Sequence, residues 1–111
     1  MDKVEHYRQT VIRMIEEYAK YKPSHGDVTP EPVIDRERDH YELMHVGWDA
    51  QRRVHGSVVH IDIIDGKIWV QYDGTSRPVV DELLAAGIPS EDIVLGFHPA
   101  EVRRHTGFAV G

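Results

Sequence analysis

The chain has 111 residues, 41% of them apolar, with 19 acidic against 13 basic residues and a formal charge of −6. That length suits one domain burying roughly two-thirds of its unfolded surface, and the lack of cysteine removes disulfides, thiolate nucleophiles and cysteine-type zinc sites. The acidic balance repels a phosphate backbone, so no strong direct nucleic-acid binding is expected.

No apolar run approaches the roughly 20 residues that span a bilayer, and the opening Met1-Asp2-Lys3-Val4-Glu5 lacks the basic-then-apolar pattern of a signal peptide. The expectation is a soluble, cytoplasmic protein with no membrane contact.

From Asp2 to about Tyr21 the apolar positions Val4, Tyr7, Val11, Met14, Ile15 and Tyr18 recur at spacings of three and four, which predicts an amphipathic helix packed on a sheet. Asp2 with Glu5 suggests a capping box, and Glu16 with Lys20 a favourable i,i+4 pair on the polar face. Pro23 and Gly26 stop the helix. Pro30 and Pro32 make the first strand, around Pro32 to Asp35, an edge strand, because proline cannot donate to a central ladder. Arg36 to Asp39 reads as a turn, His40 to Trp48 as the second strand, and Asp49 to Arg53 as a loop.

Val54 to Tyr72 is the centre of the predicted fold. Two runs rich in β-branched and aromatic residues flank Asp65-Gly66, the signal for a two-residue hairpin turn with positive backbone dihedrals. That turn sets Ile63 against Ile68, Ile61 against Val70 and Val59 against Tyr72, alternating with Asp62 against Trp69 and His60 against Gln71. Pairing Leu43 with Val59 and Tyr41 with Ile61 extends the apolar stripe. The other face then holds Met44, Val46, Trp48, Val58, Ile64 and Trp69 beside Glu42, His60 and Asp62. Such an apolar patch on a sheet face commonly marks a protein contact.

After Asp73 to Ser76 a helix is expected with Pro78 in its first turn and Val80, Leu83 and Leu84 buried, stopped by Gly87 and Pro89. Ser90 to Asp92 reads as a single turn, Ile93 to Leu95 as an extended piece, and Pro99 as the start of a short last helix. Phe108 to Gly111 is apolar enough to dock.

Chemistry is sparse. His60 and Asp62 share a sheet face, but a hydrolytic zinc site needs about three protein ligands, and no His-Glu-x-x-His or similar spacing supplies a third. Asp62, Asp65 and Lys67 imitate the carboxylate and lysine order of metal-dependent nucleases, yet turn formation already accounts for Asp65-Gly66. No catalytic residue, cofactor or metal is assigned. A nuclease or other hydrolase using His60, Asp62, Asp65 and Lys67 is the competing reading. Met44, Val46, Trp48 and Trp69 are the interface candidates, tryptophan being a frequent anchor, with burial of Trp48 and Trp69 under a terminal segment as the competing reading.

Ordered segments along the whole chain carry a resemblance: His6-Tyr7-Arg8-Gln9, Tyr18 to Ser24, Gly26-Asp27-Val28, His45-Val46-Gly47-Trp48 with Arg52-Arg53-Val54, and His60 to Ile63 with Asp65 to Trp69. Asp81-Glu82-Leu83, Glu91 to His98 and Phe108 to Gly111 continue it. Through these segments the chain resembles the XisI family, the fdxN-element excision controlling factors of cyanobacteria. The resemblance implies an accessory role with a XisH-type partner, itself similar to endonuclease-like proteins, in excision of a DNA element by a site-specific recombinase. It carries across no catalytic residue.

The reading is a single α+β domain spanning residues 1–111: a helix, four antiparallel strands, a helix, a short extended piece and a helix. The first two helices cover Leu43, Val59, Ile61, Ile63, Ile68 and Val70. The opposite face binds the XisH-type partner, with homo-oligomerisation as a rival use, and Trp69→Ala is expected to weaken association while the fold stays intact.

Overall fold

The computed structural model describes residues 2–111. Helix α1 spans Lys3–Tyr18, and β1 (Asp27–Asp35), β2 (His40–Asp49), β3 (Arg52–Ile64) and β4 (Lys67–Asp73) follow as an antiparallel meander. Helix α2 (Val79–Ala85) and a single 3₁₀ turn (Ser90–Asp92) lead to β5 (Ile93–Leu95), then to α3 (Ala100–Arg103). The sheet runs β1-β2-β3-β4-β5, with β5 parallel to β4. It has five strands, not four. A parallel neighbour requires a crossover, which the segment carrying α2 supplies. The clue in the sequence is Ile93-Val94-Leu95 itself: three successive buried residues suit a strand covered on both faces.

Asp2 caps α1 by accepting from the Val4 amide at 3.0 Å. The rest of the expected polar pairing differs. Glu5 does not close a capping box but bonds to Arg36, and Lys20 reaches Glu17 at 2.9 Å, not Glu16. The buried face of α1 is Tyr7, Thr10, Val11, Met14 and Ile15. Beneath it lie Tyr41 and the predicted stripe of Leu43, Val59, Ile61, Ile63, Ile68 and Val70, all buried, with Val79, Leu83, Ile88 and Ile93 completing the core. In α2 the buried positions are Val79 and Leu83, while Leu84 is exposed and Val80 only partly buried.

β1 is the expected edge strand but starts at Asp27, and both prolines lie within it. Asp65 and Gly66 have φ of 52° and 76°, as a type I′ turn demands. A second tight turn replaces the loop expected at Asp49 to Arg53: β2 runs through Asp49, β3 starts at Arg52, and Ala50 takes a φ of 55°.

Two irregularities correct the predicted pairing. Between β2 and β3 the register passes from Leu43–Val59 to Met44–Ser57, leaving Val58 unpaired. An extra residue reverses the side-chain alternation beyond it, and Val58 packs against the core instead of the open face. Between β3 and β4 the register passes from Ile61–Val70 to His60–Tyr72, leaving Gln71 unpaired, so His60 does not oppose Gln71 and Val59 opposes Asp73.

Asp39 ties the helix to the sheet. At φ 54° it accepts from Arg8 Nε at 2.7 Å, Arg8 Nη2 at 3.0 Å and the buried Tyr41 hydroxyl at 2.8 Å. Hydrogen bonding from Arg8, with help from Tyr41, holds its carboxyl below the usual carboxylate range. A depressed folded value stabilises the fold above the unfolded value near 3.9, and that contribution fades as pH falls through the folded value. Asp39→Asn, which tolerates the positive φ, should cost about 1–2 kcal/mol at pH 7 and flatten the acid limb of stability below about pH 5. Urea midpoints from pH 7 to 3 check this; an acid limb as steep as the parent's would exclude the role.

Candidate functional site

The face of the sheet away from α1 carries the chemistry. Alternation along β2 sends Tyr41 and Leu43 to the core and His40, Glu42, Met44, Val46 and Trp48 to this face. The ladder pairs His40 with Asp62 and Glu42 with His60, so four polar residues form a square on two neighbouring strands.

Their geometry is tight. Asp62 Oδ1 lies 2.9 Å from His40 Nδ1 and 3.1 Å from His60 Nε2. The two imidazoles are tilted with centroids 4.4 Å apart, and the other His40 nitrogen, Nε2, lies 3.1 Å from Glu42 Oε2. Gln71, freed from strand pairing by the irregularity in β3 and β4, donates to Asp62 Oδ2 at 3.2 Å. The side chains of the square are 20–35% exposed, open enough for a small ligand to reach. No Lys or Arg pairs with Glu42 or Asp62 among the described residues.

The residues grouped in the sequence reading separate here. His60 and Asp62 do come together, but Asp65 is occupied with the turn and Lys67 donates to the Gly111 carbonyl at 3.1 Å. His40 joins them instead, with a ligand atom within 4.8 Å of one on each of His60 and Asp62. The signal was present in the sequence: one more step along the register that pairs Tyr41 with Ile61 sets His40 opposite Asp62.

Of the interface candidates, Met44 and Val46 are half-buried and Trp48 is 51% exposed, its indole covered on one side by the Arg53 guanidinium 5.2 Å from the ring centroid. Trp69 is half-buried under the chain itself. Arg103 stacks 5.2 Å from its ring centroid, and Arg103 also donates to the carbonyls of Val110 and His98. The closing segment docks as expected: Ala109 bridges to Val94, and its amide donates to Ile93 at 2.9 Å. On the helix side, an open groove of about 380 Å³ lies between Pro23, His25 and the hairpin residues His45 and Val54. No cluster of ligand atoms converges there among the described residues.

A family model described as XisI protein matches residues 1–110. The chain belongs to the XisI family. Two crystal structures from Anabaena variabilis ATCC 29413 resemble it over 99% of this chain and 100% of theirs. One is the fdxN element excision controlling factor XisI, 40% identical with a TM-score of 0.85; the other is a XisI-like protein, 39% identical with a TM-score of 0.91. No curated protein matches the chain. This XisI-family chain thus presents a five-stranded sheet with α1 on one face and the polar square on the other. No helix among the described residues is long and apolar enough to cross a membrane.

Proposed function

We propose that this XisI-family chain is a non-catalytic controlling factor in excision of a DNA element, acting by binding a XisH-type protein through the open face of its sheet. The family supports the process, since a 40% identical structure bears the name of an fdxN element excision controlling factor. The single observation that supports a binding role is the apolar row Met44, Val46 and Trp48 on one face of a strand, ending in a half-exposed indole. Burying such an indole at an interface is a strong source of affinity. Trp69 contributes to this face jointly with the segment packed over it.

Co-expression with a XisH-type protein followed by light-scattering mass determination tests the reading. A mixed complex is expected, weakened at least about tenfold by Trp48→Ala, while stability of the isolated chain changes by less than about 0.5 kcal/mol because the indole lies outside the core. A complex indifferent to Trp48→Ala would remove the open face from the interface. A homo-oligomer eluting without the partner would assign that face to self-association.

A further inference from the structure

We propose that His40, His60 and Asp62 form a binding site for one divalent transition-metal ion, oriented by Glu42 and Gln71. The donors would be His40 Nδ1, His60 Nε2 and Asp62 Oδ1. Two imidazoles and a carboxylate are a donor set for zinc and its neighbours, not for magnesium or calcium, which favour oxygen.

The distances fit. A tetrahedral ion with bonds near 2.0–2.1 Å keeps its ligand atoms roughly 3.3 Å apart. Two edges of that figure exist already, at 2.9 Å and 3.1 Å about Asp62 Oδ1. The third edge, between the rings, starts from a set of ligand atoms, one per residue, that all lie within 4.8 Å of one another. The outer groups are also in place. A metal-bound histidine gives its other N–H to a carboxylate, and a ligating carboxylate is itself hydrogen-bonded. Glu42 Oε2 occupies the first role at 3.1 Å from His40 Nε2, and Gln71 occupies the second at 3.2 Å from Asp62 Oδ2.

The hydrogen-bonding groups around His40 accommodate an ion. A carboxylate oxygen faces each of its nitrogens, and in the metal-bound form, which needs one imidazole lone pair, Nε2–H donates to Glu42 while Nδ1 and the Asp62 oxygen both turn to the cation. Two carboxylates without a Lys or Arg partner among the described residues supply the negative charge that holds a divalent ion. Three protein ligands leave one position for water on the open side of the sheet.

Isothermal titration of the untagged full chain with Zn²⁺ tests the assignment, with Co²⁺ as a spectroscopic probe. One ion per chain is expected, with the intense visible bands of four-coordinate Co²⁺. His40→Ala and Asp62→Ala should each lower Zn²⁺ affinity at least about 100-fold, and Glu42→Gln about 10–100-fold, as for other outer-shell partners. His25→Ala, on the opposite groove, should leave affinity unchanged. Circular dichroism without metal establishes that each variant folds, and His60→Gln stands in for either variant that does not. Absence of Zn²⁺ binding by the parent, or binding that survives Asp62→Ala and His60→Gln undiminished, would overturn the site.

Discussion

Gly47→Ala is expected to cost about 3 kcal/mol and to peel the first residues of β1 from β2. A Cβ on Gly47 would sit 2.1 Å from the Asp27 carbonyl oxygen and 2.7 Å from Val28 Cα. Both are backbone atoms, so no side-chain rotation relieves the clash. The edge strand must move. Val28, which is 3% exposed, would lose its cover, and Trp48, next in the chain, would lose its fixed position. Urea unfolding with amide exchange at Asp27 to Thr29 reads both effects. Gly56→Ala is the control, because nothing lies within 4 Å of its Cβ; it should shift stability by less than about 0.5 kcal/mol. Equal effects from the two substitutions would show that close strand approach is not what Gly47 provides.

Trp69→Ala is expected to destabilise the fold by about 2–4 kcal/mol, somewhat below a fully buried tryptophan. Here the structure decides between two readings of the sequence, in which Trp69 was either an interface anchor or covered by a terminal segment, in favour of cover. Its indole lies between two glycines: a Cβ on Gly96 would come within 3.1 Å of the ring, and one on Gly111 within 3.4 Å. Arg103 stacks on the ring while bonding the loop before α3 to the segment after it. Removing the indole therefore loses burial and a cation–π contact and leaves Gly111 and the Arg103 side chain that holds Val110 without the ring they pack on. Faster exchange of the Ala109 amide, which donates to Ile93, should accompany the lower midpoint. An unchanged midpoint with unchanged exchange would return Trp69 to the role of a free surface anchor.

Much of the sheet was legible because its signals are local. Asp65-Gly66 fixes a turn and hence the pairs nearest it, Ile63–Ile68, Asp62–Trp69 and Ile61–Val70, all of which the structure contains. Pro30 and Pro32 announce an edge. The departures begin where an extra residue enters a strand. Neither Val58 nor Gln71 has a side chain that demands an irregularity; both result from fitting three strands together. The site shows the same division. Period-two alternation already places Glu42, His60 and Asp62 on one face, but the convergence of His40 on Asp62 depends on pairing between strands some 20 residues apart in the chain.

The sequence by itself determined the amphipathic helix, the central hairpin and the apolar stripe, because periodicity and turn chemistry act over a few residues, while the family followed from matching segments along residues 1–110. Only the tertiary structure decided the fifth strand, the side taken by Val58, the cover over Trp69 and the convergence of both imidazoles on one Asp62 oxygen. Each of these depends on which distant segments come within a few ångströms, a choice made by the burial of the whole core and not by any one stretch of chain.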